Sequence, residues 1–204
     1  MKLSVEKTKH AMYWKKCISN VFGEELAQEV LNEVNSLYIK MCEDNSSDTS
    51  EMKIHTENII YPLIALYKTL TSHFGKTDGM KITEQCFFRS VNMEAKTLKN
   101  FINSKKLSAS FPGEFARQMQ NSYSEKAGFK MELIISEEKI ARFNILECPY
   151  EKVTKSYDCL ELCHCFCMAD EMCYSKINEK LHWNRTHTLA ENGDYCDFGL
   201  EYID

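Results

Sequence analysis

Apolar positions in the first part of the chain recur at the spacing of one face of a helix. From Val5 to about Met41, the residues Met12, Val21, Leu26, Val30, Val34, Leu37 and Ile39 keep that rhythm, with Gly23 as the break between two helices. The polar run Glu43-Asp44-Asn45-Ser46-Ser47-Asp48-Thr49-Ser50 holds no apolar residue and is dense in turn formers, so it predicts a surface loop. Helical patterning returns from Ile54 to Phe74, stops across Gly75 to Gly79 and resumes from Ile82 to Phe101. Pro112 and Gly128 then bracket a shorter helix, about Glu114 to Lys126.

After Gly128 the apolar runs shorten. Phe129 to Ile135 and Ile140 to Leu146 flank the polar Ser136-Glu137-Glu138-Lys139, which is a hairpin pattern. A helix is predicted over about Ser156 to Ile177. Two more strand-like runs, Leu181 to Leu189 and Tyr195 to Ile203, surround Glu191-Asn192-Gly193-Asp194, where Asn-Gly favours positive φ. The expected fold is α+β in a single domain over 1–204. Its helical N-terminal part (1–127) precedes a four-stranded antiparallel sheet with one long crossing helix (128–204).

At 204 residues the chain can bury a core without disulfide staples, and 3 prolines with 7 glycines argue against long disordered stretches. A net charge of −5 without a dense Lys/Arg run excludes nucleic acid or an anionic membrane surface as the main partner. The opening MKLSVEKTKHAMYWKK lacks the apolar core of a signal peptide, and no run is apolar enough to span a bilayer, so a cytoplasmic location is expected. In a reducing compartment the ten cysteines are core residues, metal ligands or a nucleophile before they are disulfides. There is no glycine-rich phosphate loop, no Gly-x-Ser-x-Gly elbow and no His-Glu-x-x-His pair.

Seven of the ten cysteines lie in the last third. Cys159, Cys163 and Cys167 recur every fourth residue within the predicted helix, which stacks them in a sulfur stripe, and Asp170 falls on the same stripe. A carboxylate facing a helix interface is either a hydrogen-bonded strut or a working group. It would raise the pKa of Cys167, so a nucleophilic Cys167 needs a nearby cation such as Arg185 or His187. Cys159, Cys163 and Cys173 read as small core hydrophobes rather than as working groups. In the predicted strand, alternation sends Arg185 and His187 to one face and Thr186 and Thr188 to the other, aimed at a site or at solvent. Cys148, Cys167 and Cys196, with Asp170 or Asp197, form a candidate mixed zinc set, although no Cys-x2-Cys pair supports it. Cys196 and Asp197 must face opposite ways on a strand. Cys196 is expected to face the cysteine helix, and Asp197 either to be structural, accepting hydrogen bonds from Arg185 or from backbone amides of the preceding turn, or to be solvated on the outer face.

Four segments, Glu147-Cys148-Pro149-Tyr150, Cys167-Met168-Ala169-Asp170, Arg185-Thr186-His187-Thr188-Leu189 and Cys196-Asp197-Phe198, occur in this order. Together they resemble the L-2-amino-thiazoline-4-carboxylic acid hydrolase family over about Phe129 to Tyr202. The resemblance implies that water adds to C2 of a thiazoline ring, the C–S bond breaks and N-carbamoyl-L-cysteine results. It casts Cys167, Asp170, Arg185 and His187 as catalytic and Arg185, Thr186 and Thr188 as substrate-binding. Cys167 would attack C2 or ligate a metal, Asp170 would position water or shuttle a proton, and Arg185 would hold the substrate carboxylate. The implied partner is a small-molecule substrate, and the cofactor either none or a zinc ion. One departure is the turn Glu191-Asn192-Gly193-Asp194-Tyr195, whose glycine stands one place later than the family pattern leads one to expect. The closing segment is also similar to small-molecule-sensing domains related to vinyl reductases, some of which hold zinc through cysteines. A non-enzymatic binding or zinc-containing sensor module is therefore the alternative.

Overall fold

The computed structural model describes residues 3–204, and two glycines with positive φ shape its helical half. Gly23 (φ 87°) ends α1 (Trp14–Phe22) and begins α2 (Glu24–Asp44). A short turn leads to α3 (Ser50–His55), whose N-cap Thr49 accepts a hydrogen bond from the Met52 amide at 3.0 Å. One widened π turn, Thr56–Ile60, joins it to α4 (Tyr61–Ser104). Gly75 (φ 80°) bends α4 into two arms; a Cβ there would meet nothing within 4 Å, so the backbone conformation and not space selects glycine. The predicted break at Gly75 to Gly79 is thus a single residue. α5 (Phe111–Ser122) follows, with Pro112 in its first turn. It starts and stops earlier than the pattern predicts, because Gly128 (φ 83°) closes a separate 3-10 turn, Glu125–Ala127.

The sheet has the order β1-β2-β4-β3, antiparallel throughout. Its strands are β1 (Lys130–Ser136), β2 (Ile140–Glu147), β3 (Leu181–Asn184) and β4 (Cys196–Tyr202). Between β2 and β3 the chain forms α6 (Pro149–Ser156) and α7 (Cys163–Tyr174). Alternation buries Ala141, Phe143 and Ile145 of β2 and Cys196, Phe198 and Leu200 of β4 on one face. Phe143 pairs with Phe198 in register, their rings stacked 5.1 Å apart, and Ile145 pairs with Cys196.

Two predicted elements differ. The long cysteine helix is two helices, because Asp158 adopts φ 51° after α6 and a 3-10 turn, Leu160–Leu162, precedes α7. Asp is among the few residues that accept this conformation at modest cost. Cys159 therefore leaves the stripe; its thiol donates to the Thr154 carbonyl at 3.4 Å. The third strand ends at Asn184 instead of reaching Leu189. One carboxylate oxygen of Asp197 accepts the amides of Thr186 (2.8 Å) and His187 (2.5 Å), and the other accepts the Thr186 hydroxyl (2.8 Å), so a side chain replaces the ladder bonds there.

Two apolar cores result. One joins α1, α2 and α4 to the start of α7 through Trp14, Ile18, Val34, Ile64 and Phe166. The other packs α5 under the sheet through Phe115, Ala116, Phe143 and Leu200. Burying a side chain of this size contributes about 1.5–3 kcal/mol. Among the described residues no helix is long and apolar enough to cross a membrane.

Candidate active site

A cavity of about 270 Å³ lies where the two cores meet, walled by Phe87 and Phe166 from one and Phe129, Ile145 and Phe198 from the other. One face of α7 runs along it. Cys163, Cys167 and Asp170 keep the predicted spacing on that face, and Cys173 and Tyr174 continue it.

Asp170 is the carboxylate of this wall, and its remaining exposure, 27% of the side chain, opens onto the cavity. Burial pushes its carboxyl up to about 6, against the opposing pull of Arg185. Arg185 Nη1 donates to Asp170 Oδ2 at 3.3 Å, and Nη2 donates to the Cys167 carbonyl at 2.6 Å. The guanidinium is only 7% exposed and lies 5.8 Å from the ring centroid of Trp183 and 5.6 Å from that of Phe198. An arginine engaged by a carboxylate, a carbonyl and two rings is held rigidly.

Cys167 adjoins Cys163 one turn earlier. The proximity of the Cys163 thiol and the charge of Arg185 hold Cys167 below the ordinary thiol range despite burial and Asp170. Cys163 is pushed up by that same proximity and by burial. Cys148, pushed up to about 12 by burial, and Cys196, pushed up to about 11, stay protonated. Cys196 Sγ accepts from the Leu189 amide at 3.2 Å. Cys148, Cys167 and Cys196 share the cavity wall, but among the described residues no group of three or more His, Cys, Asp or Glu side chains is placed to hold a metal ion. The proposed zinc set is therefore not assembled.

The segment 185–188 does not alternate as predicted, because it is not a strand. Arg185 turns inward, whereas His187 is 55% exposed, stacks on Tyr195 at 5.4 Å and lies 2.7 Å from Thr186 Oγ1. It does not line the cavity. Thr186 and Thr188 line a separate, smaller cleft of about 230 Å³, which Cys167 and Arg185 also border. Thr188 donates to Glu191 at 2.9 Å. Asp197 is the acceptor that holds this loop; its donors are Thr186 and His187, not Arg185 or the turn before it.

Several cavity residues come from the helical half, where no motif singled them out. His55, last residue of α3, precedes the π turn, a geometry frequent at functional sites. Its Nε2 faces the Ser122 carbonyl at 3.2 Å and must donate, so Nδ1, 3.0 Å from the Tyr150 hydroxyl, accepts. Burial lowers its pKa and keeps it neutral. Burial likewise pushes the Tyr123 and Tyr150 hydroxyls well up. Lys9 and Glu94, 2.7 Å apart, sit at the mouth, and Gln118 of α5 joins them. His10, its Nδ1 2.8 Å from Ser90 Oγ, is lowered to about 3 by burial. Only tertiary packing brings these groups to α7.

The profile of the L-2-amino-thiazoline-4-carboxylic acid hydrolase family matches residues 52–200. The match reaches well upstream of Phe129 and takes in His55, Glu94, Gln118 and Tyr150 as well as the α7 residues. No curated protein and no solved structure matches the chain.

Proposed function

Because the chain belongs to the L-2-amino-thiazoline-4-carboxylic acid hydrolase family, we propose that it hydrolyses a small cyclic amidine acid in the cavity beside α7. The observation that carries this reading is the Asp170–Arg185 pair. A carboxyl titrating at about 6 is ionised at neutral pH yet close enough to its conjugate acid to take a proton from water. The water proton passes to Asp170, hydroxide adds to the amidine carbon and the ring C–S bond breaks. The two water protons end on the freed sulfur and the ring nitrogen, leaving the oxygen as a urea carbonyl.

In this reading Arg185 is a positioning residue, since Asp170 and the Cys167 carbonyl already occupy both its terminal nitrogens. Lys9 is the other cation lining the cavity and would receive the substrate carboxylate. The neutral His55 accepts the Tyr150 proton and fixes that hydroxyl against the cavity. His187, Thr186 and Thr188 hold the loop that delivers Arg185.

A second reading is favoured by Cys167, which lines the cavity and is held below the ordinary thiol range by Cys163 and the charge of Arg185. The Cys167 thiolate would attack the amidine carbon, expel the ring sulfur and form an isothiourea, which water then hydrolyses to release the thiol.

Turnover against thiazoline, hydantoin and dihydropyrimidine acids, with product identification, tests the proposal. Asp170→Asn should lose about 10²-fold or more in kcat while remaining folded at the assay temperature, as a cooperative thermal transition would show. Cys167→Ala retaining most turnover selects direct attack by water; its loss, with a wild-type protein adduct seen by mass spectrometry, selects the covalent route. Full turnover by Asp170→Asn removes that residue from the chemistry.

A further inference from the structure

Large apolar side chains left in water are informative when they gather along one trough. Met12 (69% exposed), Met93 (49%) and Phe101 (53%) border a single groove of about 640 Å³ between the second arm of α4, α5 and the 3-10 turn Ala11–Tyr13. Leu98 and Phe111 form its floor. The groove is not separate from the cavity: Lys9, His10, Glu94, Gln118, Cys173 and Tyr174 line both.

We propose that this groove is the subsite for an apolar arm of the substrate, so that the substrate is a cyclic amidine acid carrying an alkyl or aryl substituent and not the bare ring acid. The inference rests on the reading of the cavity as the hydrolytic site. Continuity identifies the occupant. The ring meets Asp170 inside, its carboxylate meets Lys9 at the mouth, and a chain leaving the ring passes the Lys9–Glu94 pair onto the exposed methionines and Phe101. A protein partner laid over the groove would instead close the mouth of the cavity. Size agrees: the inner cavity alone falls short of the roughly 300–1,000 Å³ of ordinary ligand pockets, and with the groove it lies within that range. Unbranched methionines adapt to a flexible apolar chain better than branched residues do.

The test compares 2-amino-thiazoline-4-carboxylic acid with the same acid bearing a hexyl chain on its exocyclic nitrogen, using wild type, Met93→Glu and Phe101→Ala. Both substitutions are at exposed positions, so folding should be retained. The hexyl acid should have kcat/KM about tenfold or more above the bare acid, because the groove takes its methylenes out of water. Either substitution should remove most of that gain, mainly through KM, and leave the bare acid unchanged. Equal kcat/KM for the two acids, or a gain that both variants retain, overturns the subsite while leaving the hydrolase reading intact. If neither acid is turned over, the hydrolase reading fails, and calorimetric binding decides the groove. Hexyl acid bound by wild type and weakened by Met93→Glu supports it; no binding overturns it. A dimer that Met93→Glu dissociates, with no hexyl advantage, assigns the groove to a second copy and also overturns it.

Discussion

Arg185 and Asp170 are 15 residues apart, yet their side chains meet at 3.3 Å and join the end of β3 to the middle of α7. The same guanidinium bonds the Cys167 carbonyl, so the loop after β3 is fixed to two successive turns of α7. The carboxylate is held on the cavity wall by a cation that cannot lose its charge.

Removing that cation should be costly. Arg185→Met leaves Asp170 buried without a partner, and breaking such a pair typically costs about 3–5 kcal/mol. Urea unfolding should show this loss at pH 8 and a smaller loss at pH 5, where Asp170 can be neutral. Arg185→Lys keeps the charge but not the two-pronged contact and should fall between. A loss independent of pH would mean that the pair is not electrostatic.

Asp170 also sets a pH dependence of stability opposite to that of most carboxylates. Its pKa is raised in the folded state, from 3.8 to about 6, so the folded chain holds this proton more tightly. The associated stabilisation is present below pH 3.8 and is lost as pH rises through about 6. Between pH 4 and 7 the wild type should therefore lose up to about 3 kcal/mol that Asp170→Asn does not lose. Parallel stability curves for the two proteins would contradict the burial.

Tyr150→Phe deletes the hydroxyl that His55 Nδ1 accepts and leaves a buried acceptor unmet. The expected loss of stability is about 1–3 kcal/mol, with a fall in kcat and little change in KM. His55→Gln can still bond the Ser122 carbonyl and Tyr150 together, so it should retain more of both than His55→Ala.

At Gly193 an added Cβ would lie 2.7 Å from the Thr188 carbonyl, which the Gly193 amide already bonds at 3.0 Å. Gly193→Ala should open the 188–193 turn and loosen the loop carrying Arg185. Faster hydrogen exchange at the Thr186 and His187 amides would report it; unchanged exchange would separate the turn from the site.

Periodicity revealed most of the framework. The break at Gly23, the four strand positions and the Cys163, Cys167, Asp170 spacing all follow from local repeats of 3.6 or 2 residues. What it missed depends on single side chains acting at a distance. Asp158 stops a helix by turning to positive φ, and Asp197 ends β3 by taking amides that a ladder would have used. The motifs pointed to α7 and to Arg185, but His187 shares a motif with Arg185 and not a cavity. His55, Glu94 and Gln118 carry no local pattern, because their place at the site is set only when the helical core docks on the sheet.

The pH profile of kcat/KM tests the central claim, that Asp170 acts as the base of this cavity, most directly. For whichever cyclic amidine acid is turned over, wild type should lose activity about tenfold per pH unit below an apparent pKa near 6, because only the ionised carboxylate accepts the water proton. The residual activity of Asp170→Asn should lack that limb. An acidic limb near 6 that persists in Asp170→Asn would contradict the account.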